Sequence, residues 1–215
     1  MTQVRAKLCG LTKPSDIDAA IANDAAYVGF VFFAKSPRCV DVETATALAV
    51  MVPPGMAKVG LVVNMTDAEL QHVTDNVPLD ILQLHGSETP ERVSEIRAKF
   101  GLPVMKAVGI ATADDVARAR QYAGVADQLL LDAKPTPEDD LPGGNGLSFD
   151  WRLLQGQSWY VPWMLAGGLD ATNVAEALRL TGANQVDVSS GIEAAPGVKD
   201  PEKIADFMTA VKAAG

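Results

Sequence analysis

Short apolar runs alternate with amphipathic stretches along almost the whole chain. Arg5–Cys9, Tyr27–Phe33, Lys58–Val63, Asp80–Leu84, Val104–Val108, Gln128–Asp132, Met164–Ala166 and Gln185–Val188 are largely apolar and short, which predicts strands. Between them apolar residues recur at helical spacing: Val93, Ile96 and Phe100; Val174, Ala177 and Leu178; Ile204, Phe207, Met208 and Val211. Ser15 after Pro14, Thr89 before Pro90, Thr112, and Asp200 before Pro201 are placed to accept from the free N–H groups of a first helical turn. Strand–helix units of roughly 25 residues, with no linker or appended segment, predict an α/β fold. The architecture expected is a single (β/α)8 TIM barrel with parallel strands, one domain over residues 1–215. An open doubly wound sheet fits less well, because no G-x-G-x-x-G opens the first helix.

Strand alternation then selects the inward side chains. Val4, Ala6 and Leu8 share the face expected to pack on helices, which puts Lys7 inside the barrel and Cys9 at its upper rim. Gln83 and Asp187 are further candidates for the inward set, and Asp132 ends the sixth strand at the same rim. The longest connection, Ala133–Leu147, follows that strand and is rich in Pro, Gly and acidic residues. A loop of that length in a compact barrel is either functional or mobile.

Composition narrows the function. Hydrophobic residues make up 48% and charged residues 21%, as in ordinary soluble domains. A net charge of −9 with no basic stripe argues against nucleic acid and against anionic membrane surfaces. No stretch suits a signal peptide or a transmembrane helix. Two cysteines, Cys9 and Cys39, suggest a reduced, cytoplasmic protein, and two histidines, His72 and His85, leave little material for a metal site. Cys39, His72 and the three tryptophans form no constellation and read as scaffold or surface.

Near the C-terminus, Leu165-Ala166-Gly167-Gly168-Leu169 and Asp187-Val188-Ser189-Ser190-Gly191 each close a strand-like run. Glycine lets backbone N–H groups approach an anion, and two such cradles after consecutive strands are how a TIM barrel holds a phosphate. At the opposite rim positions, a Cys9 thiolate and an Asp132 carboxylic acid suit removal of a proton from carbon and delivery of one to oxygen. Cys9 also reads as a small buried hydrophobe, and Asp132 as a turn residue. Arg38 is either a fork for a carboxylate or phosphate, or a solvated loop arginine. His85 divides between ligand contact and a satisfied rim histidine, and Asp187 is also a structural ion partner for Lys7.

Lys7-Leu8-Cys9-Gly10-Leu11-Thr12, Ser36-Pro37-Arg38, Gln83-Leu84-His85-Gly86, Leu131-Asp132, Pro142-Gly143-Gly144-Asn145-Gly146, Phe149-Asp150-Trp151, Ala166-Gly167-Gly168-Leu169, Asn173-Val174 and Asp187-Val188-Ser189-Ser190-Gly191-Ile192-Glu193 together resemble phosphoribosylanthranilate isomerase. The resemblance spans nearly the whole chain. It implies a single-domain TIM barrel of tryptophan biosynthesis that needs no cofactor and no metal. Its reaction would be the Amadori rearrangement of N-(5-phosphoribosyl)anthranilate to 1-(2-carboxyphenylamino)-1-deoxyribulose 5-phosphate. By the same resemblance Cys9 is the general base, Asp132 the general acid, and Arg38 the contact for the anthranilate carboxylate. Gln83, His85 and Asp187 line the substrate pocket, and Gly167, Gly168, Ser189, Ser190 and Gly191 grip the phosphate. The partner is a small phosphosugar carrying an anthranilate group; transient contact with neighbouring pathway enzymes stays open.

The roles require Cys9 partly ionised while Asp132 is protonated, the reverse of their ordinary order. Lys7 is expected to lower the thiol, while burial and Asp187 raise the acid. The histidine-pathway isomerase is the nearest rival, but it uses aspartates at both strand ends, and Cys9 stands here. A silent phosphate-binding barrel would keep the cradle and lose Cys9 or Asp132.

Overall fold

Parallel backbone pairing closes the apolar runs into one barrel of eight strands in chain order. They are β1 (Arg5–Cys9), β2 (Tyr27–Val31), β3 (Ala57–Val62), β4 (Ile81–Leu84), β5 (Val104–Ile110), β6 (Gln128–Ala133), β7 (Trp163–Leu165) and β8 (Gln185–Val188). This computed structural model describes residues 3–136 and 141–215. Residues 137–140 of the long sixth connection, and Met1 and Thr2, lie outside them. The outer helices are α1 (Pro14–Ala22), α2 (Val42–Met51), α3 (Asp67–Asn76), α4 (Pro90–Phe100), α5 (Ala113–Tyr122), α6 (Val174–Thr181) and α7 (Pro201–Ala214). The expected (β/α)8 barrel is therefore the observed fold.

Alternation sorts the strand residues as expected. Ala6, Leu8, Val28, Phe30, Leu129 and Leu131 face outward into the layer shared with the helices. Tyr27, Val59, Met105, Ala107, Leu130, Met164 and Ala166 fill the barrel interior. Lys7 is fully buried inside, and its register partner across the β1–β8 seam is Asp187. Arg5 stays exposed at the opposite mouth, its guanidinium 4.5 Å from the centre of the Tyr27 ring.

Three features differ from the sequence expectation. Between β6 and β7 a 3-10 turn at Trp151–Leu154 stands where an α-helix was expected. Pro135, Pro142, Gly143, Gly144, Gly146 and Gly156 crowd that crossover, and they remove donors or raise the entropy cost of a helix. After β8, where the strand–helix pattern leaves only a connection, residues 193–199 fold as an antiparallel hairpin, β9 (Glu193–Ala195) and β10 (Val198–Lys199). Ser15 does not cap α1. Lys13 occupies the cap position, and the Asp16 carboxylate accepts from Thr12 N at 3.0 Å and Lys13 N at 3.3 Å. Thr89, Thr112 and Asp200 do cap α4, α5 and α7 through their side chains.

Candidate active site

The last inward position of β1 places Cys9 in an apolar patch with Val31 and Leu61 at the barrel mouth. Its register partner in β2 is Gly29, where a Cβ would lie 3.0 Å from Cys9 Sγ and 3.2 Å from Lys7 Cε. The missing side chain leaves room for the thiol beside the buried ammonium. Lys7 Nζ donates to Asp187 Oδ1 at 2.9 Å. Burial alone would depress the lysine, but Asp187 and Cys9 outweigh it and hold Lys7 above its ordinary range. Burial pushes the Cys9 thiol up; the Lys7 charge pulls it down, Asp187 opposes that pull, and burial wins. The expected help from Lys7 is thus present but insufficient, because desolvation of a buried thiolate is the larger effect.

Asp132, one residue before the end of β6, lines the same cleft, 7% exposed. Its Oδ1 accepts from Ala133 N at 2.8 Å, and its Oδ2 lies 3.4 Å from His85 Nε2. Gln83 Nε2 sits 3.0 Å from His85 Nδ1. With the amide donating, Nδ1 accepts and the ring proton rests on Nε2, aimed at Asp132. Gln83 is fully buried and is not among the side chains lining either cleft; its amide meets the His85 ring instead. The loop Pro142–Gly144 closes over these groups. A Cβ on Gly143 would lie 2.7 Å from Asp132 Oδ2 and 2.8 Å from His85 Nε2, so a side chain there would force the Asp132–His85 pair to shift.

Arg38 is not a solvated loop residue: it is 5% exposed and turned into the site. Its Nε and Nη2 donate to Glu193 Oε1 and Oε2 at 2.7 and 2.8 Å, and Nη2 also donates to Gly144 O at 3.1 Å. Beside it, Val31, Phe33, Leu61 and Val63 form an apolar wall. Glu193, Lys199 and that wall were not assigned roles from sequence. The wall occupies the upper ends of the second and third runs, a signal that alternation could have supplied. Nothing in the sequence joins Glu193 to Arg38, 155 positions away.

A second cleft adjoins the first and shares Asp132, Gly143, Gly144, Asp187 and Ser189 with it. Gly167, Gly168, Ser189 and Ser190 line this cleft. Gly167 and Gly168 adopt φ of 92° and 62°, which side chains disfavour, and no described residue accepts from their N–H groups. Asn173 pins the turn by donating to Gly168 O at 2.8 Å and accepting from Asp170 N at 2.9 Å. Gly191 does not line the cleft. It packs on the Leu169 carbonyl, where a Cβ would sit 2.0 Å from the oxygen, so it lets the two glycine loops touch. The arrangement offers an anion cradle, an apolar wall with a guanidinium, and a thiol–carboxyl pair around one space. Among the described residues no three His, Cys, Asp or Glu side chains converge in a metal-binding arrangement. No described helix is long and apolar enough to cross a membrane.

Residues 6–210 match the family described as N-(5'phosphoribosyl)anthranilate (PRA) isomerase. A protein of Cereibacter sphaeroides named N-(5'-phosphoribosyl)anthranilate isomerase is 59% identical over 208 residues, covering 97% of this chain and 98% of that protein. One of the same name from Paracoccus denitrificans is 58% identical over 205 residues, 95% of each chain. Among solved structures, phosphoribosyl anthranilate isomerase of Thermotoga maritima superposes with a TM-score of 0.88 at 36% identity, covering 98% of this chain and 99% of that one. Another, solved in complex with reduced 1-(o-carboxyphenylamino)-1-deoxyribulose 5-phosphate, gives 0.84 at 35% identity with the same coverage.

Proposed function

Because the chain belongs to the N-(5'-phosphoribosyl)anthranilate isomerase family, we propose that Cys9 and Asp132 are the base and acid of its reaction. The protein is an aldose–ketose isomerase of tryptophan biosynthesis, converting N-(5-phosphoribosyl)anthranilate to 1-(2-carboxyphenylamino)-1-deoxyribulose 5-phosphate. In the proposed mechanism Asp132 delivers its proton to the furanose ring oxygen as the C1–O bond breaks, giving an open-chain Schiff base. The Cys9 thiolate then removes the proton from C2, and the resulting enolamine tautomerises to the ketone. His85 donates toward the carboxylate left on Asp132.

The observation that carries this reading is a cleft lined by Cys9, Asp132 and Arg38 together, adjoining a second lined by the glycine cradle. The cradle of Gly167, Gly168, Ser189 and Ser190 would take the phosphate through backbone N–H groups. Gly191 would serve by holding the two loops together. The apolar wall would hold the anthranilate ring, with Arg38 Nη1 facing its carboxylate, and Asp187 would lie near the substrate amine. Gln83 would orient His85 rather than touch the sugar. An exposed free thiol at Cys39 fits a reducing, cytoplasmic setting.

The test is fluorescence-monitored consumption of freshly generated phosphoribosylanthranilate with no metal or cofactor added. Turnover well above spontaneous breakdown, with accumulation of the ribulose product, is expected. A folded sample that binds a phosphosugar but does not consume this one would move the chain to a silent phosphate-binding barrel.

A further inference from the structure

Two buried cations share one buried carboxylate beside the cleft, and only one of them reaches the cleft. Glu193, 7% exposed, accepts from Arg38 Nε and Nη2 at 2.7 and 2.8 Å and from Lys199 Nζ at 2.7 Å. Lys203 Nζ donates to the Glu193 carbonyl at 2.7 Å, and Lys199 Nζ to the Ser189 carbonyl at 2.8 Å. The hairpin that carries Glu193 is seated against the arginine's own loop. Gly197, at φ 80°, lies so close to Pro37 that a Cβ would be 2.4 Å from its carbonyl oxygen. Of the five guanidinium N–H donors of Arg38, those on Nε and Nη2 are occupied, and the two that are left both sit on Nη1. Nη1 has no acceptor among the described residues, and it faces Gly144, where a Cβ would approach within 2.7 Å.

We propose that Glu193 is a positioning residue that forks onto Arg38 and leaves Nη1 alone to read the ring carboxylate of the substrate. The inference rests on the isomerase reading of Arg38 given above. Two opposed expectations make it decisive. Charge alone says that removing an anion next to Arg38 strengthens binding of a carboxylate. Positioning says that binding weakens, because a guanidinium freed from its fork must be ordered again when the ligand arrives. Glu193→Gln separates the two: it keeps the volume and removes the charge. Its amide also turns a donor toward Arg38 or Lys199, which breaks the fork.

The experiment is calorimetric titration of the full chain with two probes. One is the reduced product analogue bearing the ring carboxylate; the other is the same compound with a plain phenylamino group. Wild type is expected to prefer the carboxylated probe. In Glu193→Gln that probe weakens about tenfold or more while the phenylamino probe moves by less than about twofold, and KM rises with kcat nearly unchanged. Equal or tighter binding of the carboxylated probe overturns the proposal. An equal loss for both probes also overturns it, since that marks damage to the fold. Wild type itself supplies a second measurement. The Arg38 Nε–H proton, identified by its loss in Arg38→Lys, should exchange slowly with water before any ligand is added, and fast exchange overturns the fork. A wild-type protein that binds neither probe overturns the isomerase reading of the site, whereas selective binding lost in neither variant nor spectrum overturns only the role of Glu193.

Discussion

The proposed mechanism makes opposite demands of one small space, a thiolate on Cys9 and an undissociated acid on Asp132. Burial keeps Cys9 mostly protonated, so the reactive thiolate fraction grows as pH rises. The acid limb of kcat/KM is accordingly expected to climb through neutrality. A rate that stays flat from about pH 5 to 9 would remove the thiol from the mechanism. Cys9→Ser and Asp132→Asn are each expected to lower kcat by roughly 100- to 10,000-fold with Tm little changed, as checked by steady-state assay and thermal melts. Residue types at strand ends pointed to both groups. The His85 contact to Asp132 and the Glu193 fork on Arg38 did not follow from sequence, because those partners converge only through the barrel.

At the scale of elements, the capping of α5 ties one loop to the site. The Asp115 carboxylate accepts from Ala111 N and Thr112 N, each at 3.0 Å, and from Lys134 Nζ at 2.9 Å. Burial would raise this acid, but Lys134 and those N–H groups outweigh it and hold it at about 2. A folded-state value below the unfolded one contributes stability above the unfolded pKa, and that stability is lost as pH falls toward 2. The contribution is about 1–2 kcal/mol after solvent screening. Asp115→Asn should remove it near neutrality and flatten the acid side of the stability curve, measured by urea unfolding between about pH 3 and 7. Gly143 belongs to the same scale. Gly143→Ala puts a methyl against Asp132 and His85, and kcat/KM should fall about tenfold or more while unfolding is unchanged. Wild-type turnover in that variant would show that the loop need not sit this near.

The whole molecule is closed at the β1–β8 seam, where Lys7 and Asp187 face each other in register and Lys7 Nζ donates to Asp187 Oδ1 at 2.9 Å. Lys7→Met should cost about 3 kcal/mol by leaving a buried carboxylate unpaired, and Lys7→Met with Asp187→Leu should recover much of that stability. Activity should not return in the double variant, because Asp187 also lines both clefts. Denaturant titration alongside the fluorescence assay separates the two effects. A double variant as active as wild type would make the pair purely structural.

The alternation of apolar and polar positions was enough to determine the barrel, the inward placement of Lys7, Gln83 and Asp187, and the rim positions of Cys9 and Asp132, because side-chain direction in a strand has a fixed period of two. The glycine pair separately marked the turn at Gly167 and Gly168, where φ near 90° and 60° favours that residue, but not the place of Gly191, which packs on the Leu169 carbonyl. Alternation did not determine the sixth crossover, where Pro and Gly displace a helix that the periodicity of the other units led one to expect. Nor did it determine which reading of Arg38 holds. That needed Glu193 and Gly144 brought to it across the mouth of the barrel, and only closure of the chain sets such long-range contacts. The same closure decides the thiol: sequence supplies the lysine beside Cys9, but how much water the folded barrel excludes decides which influence wins.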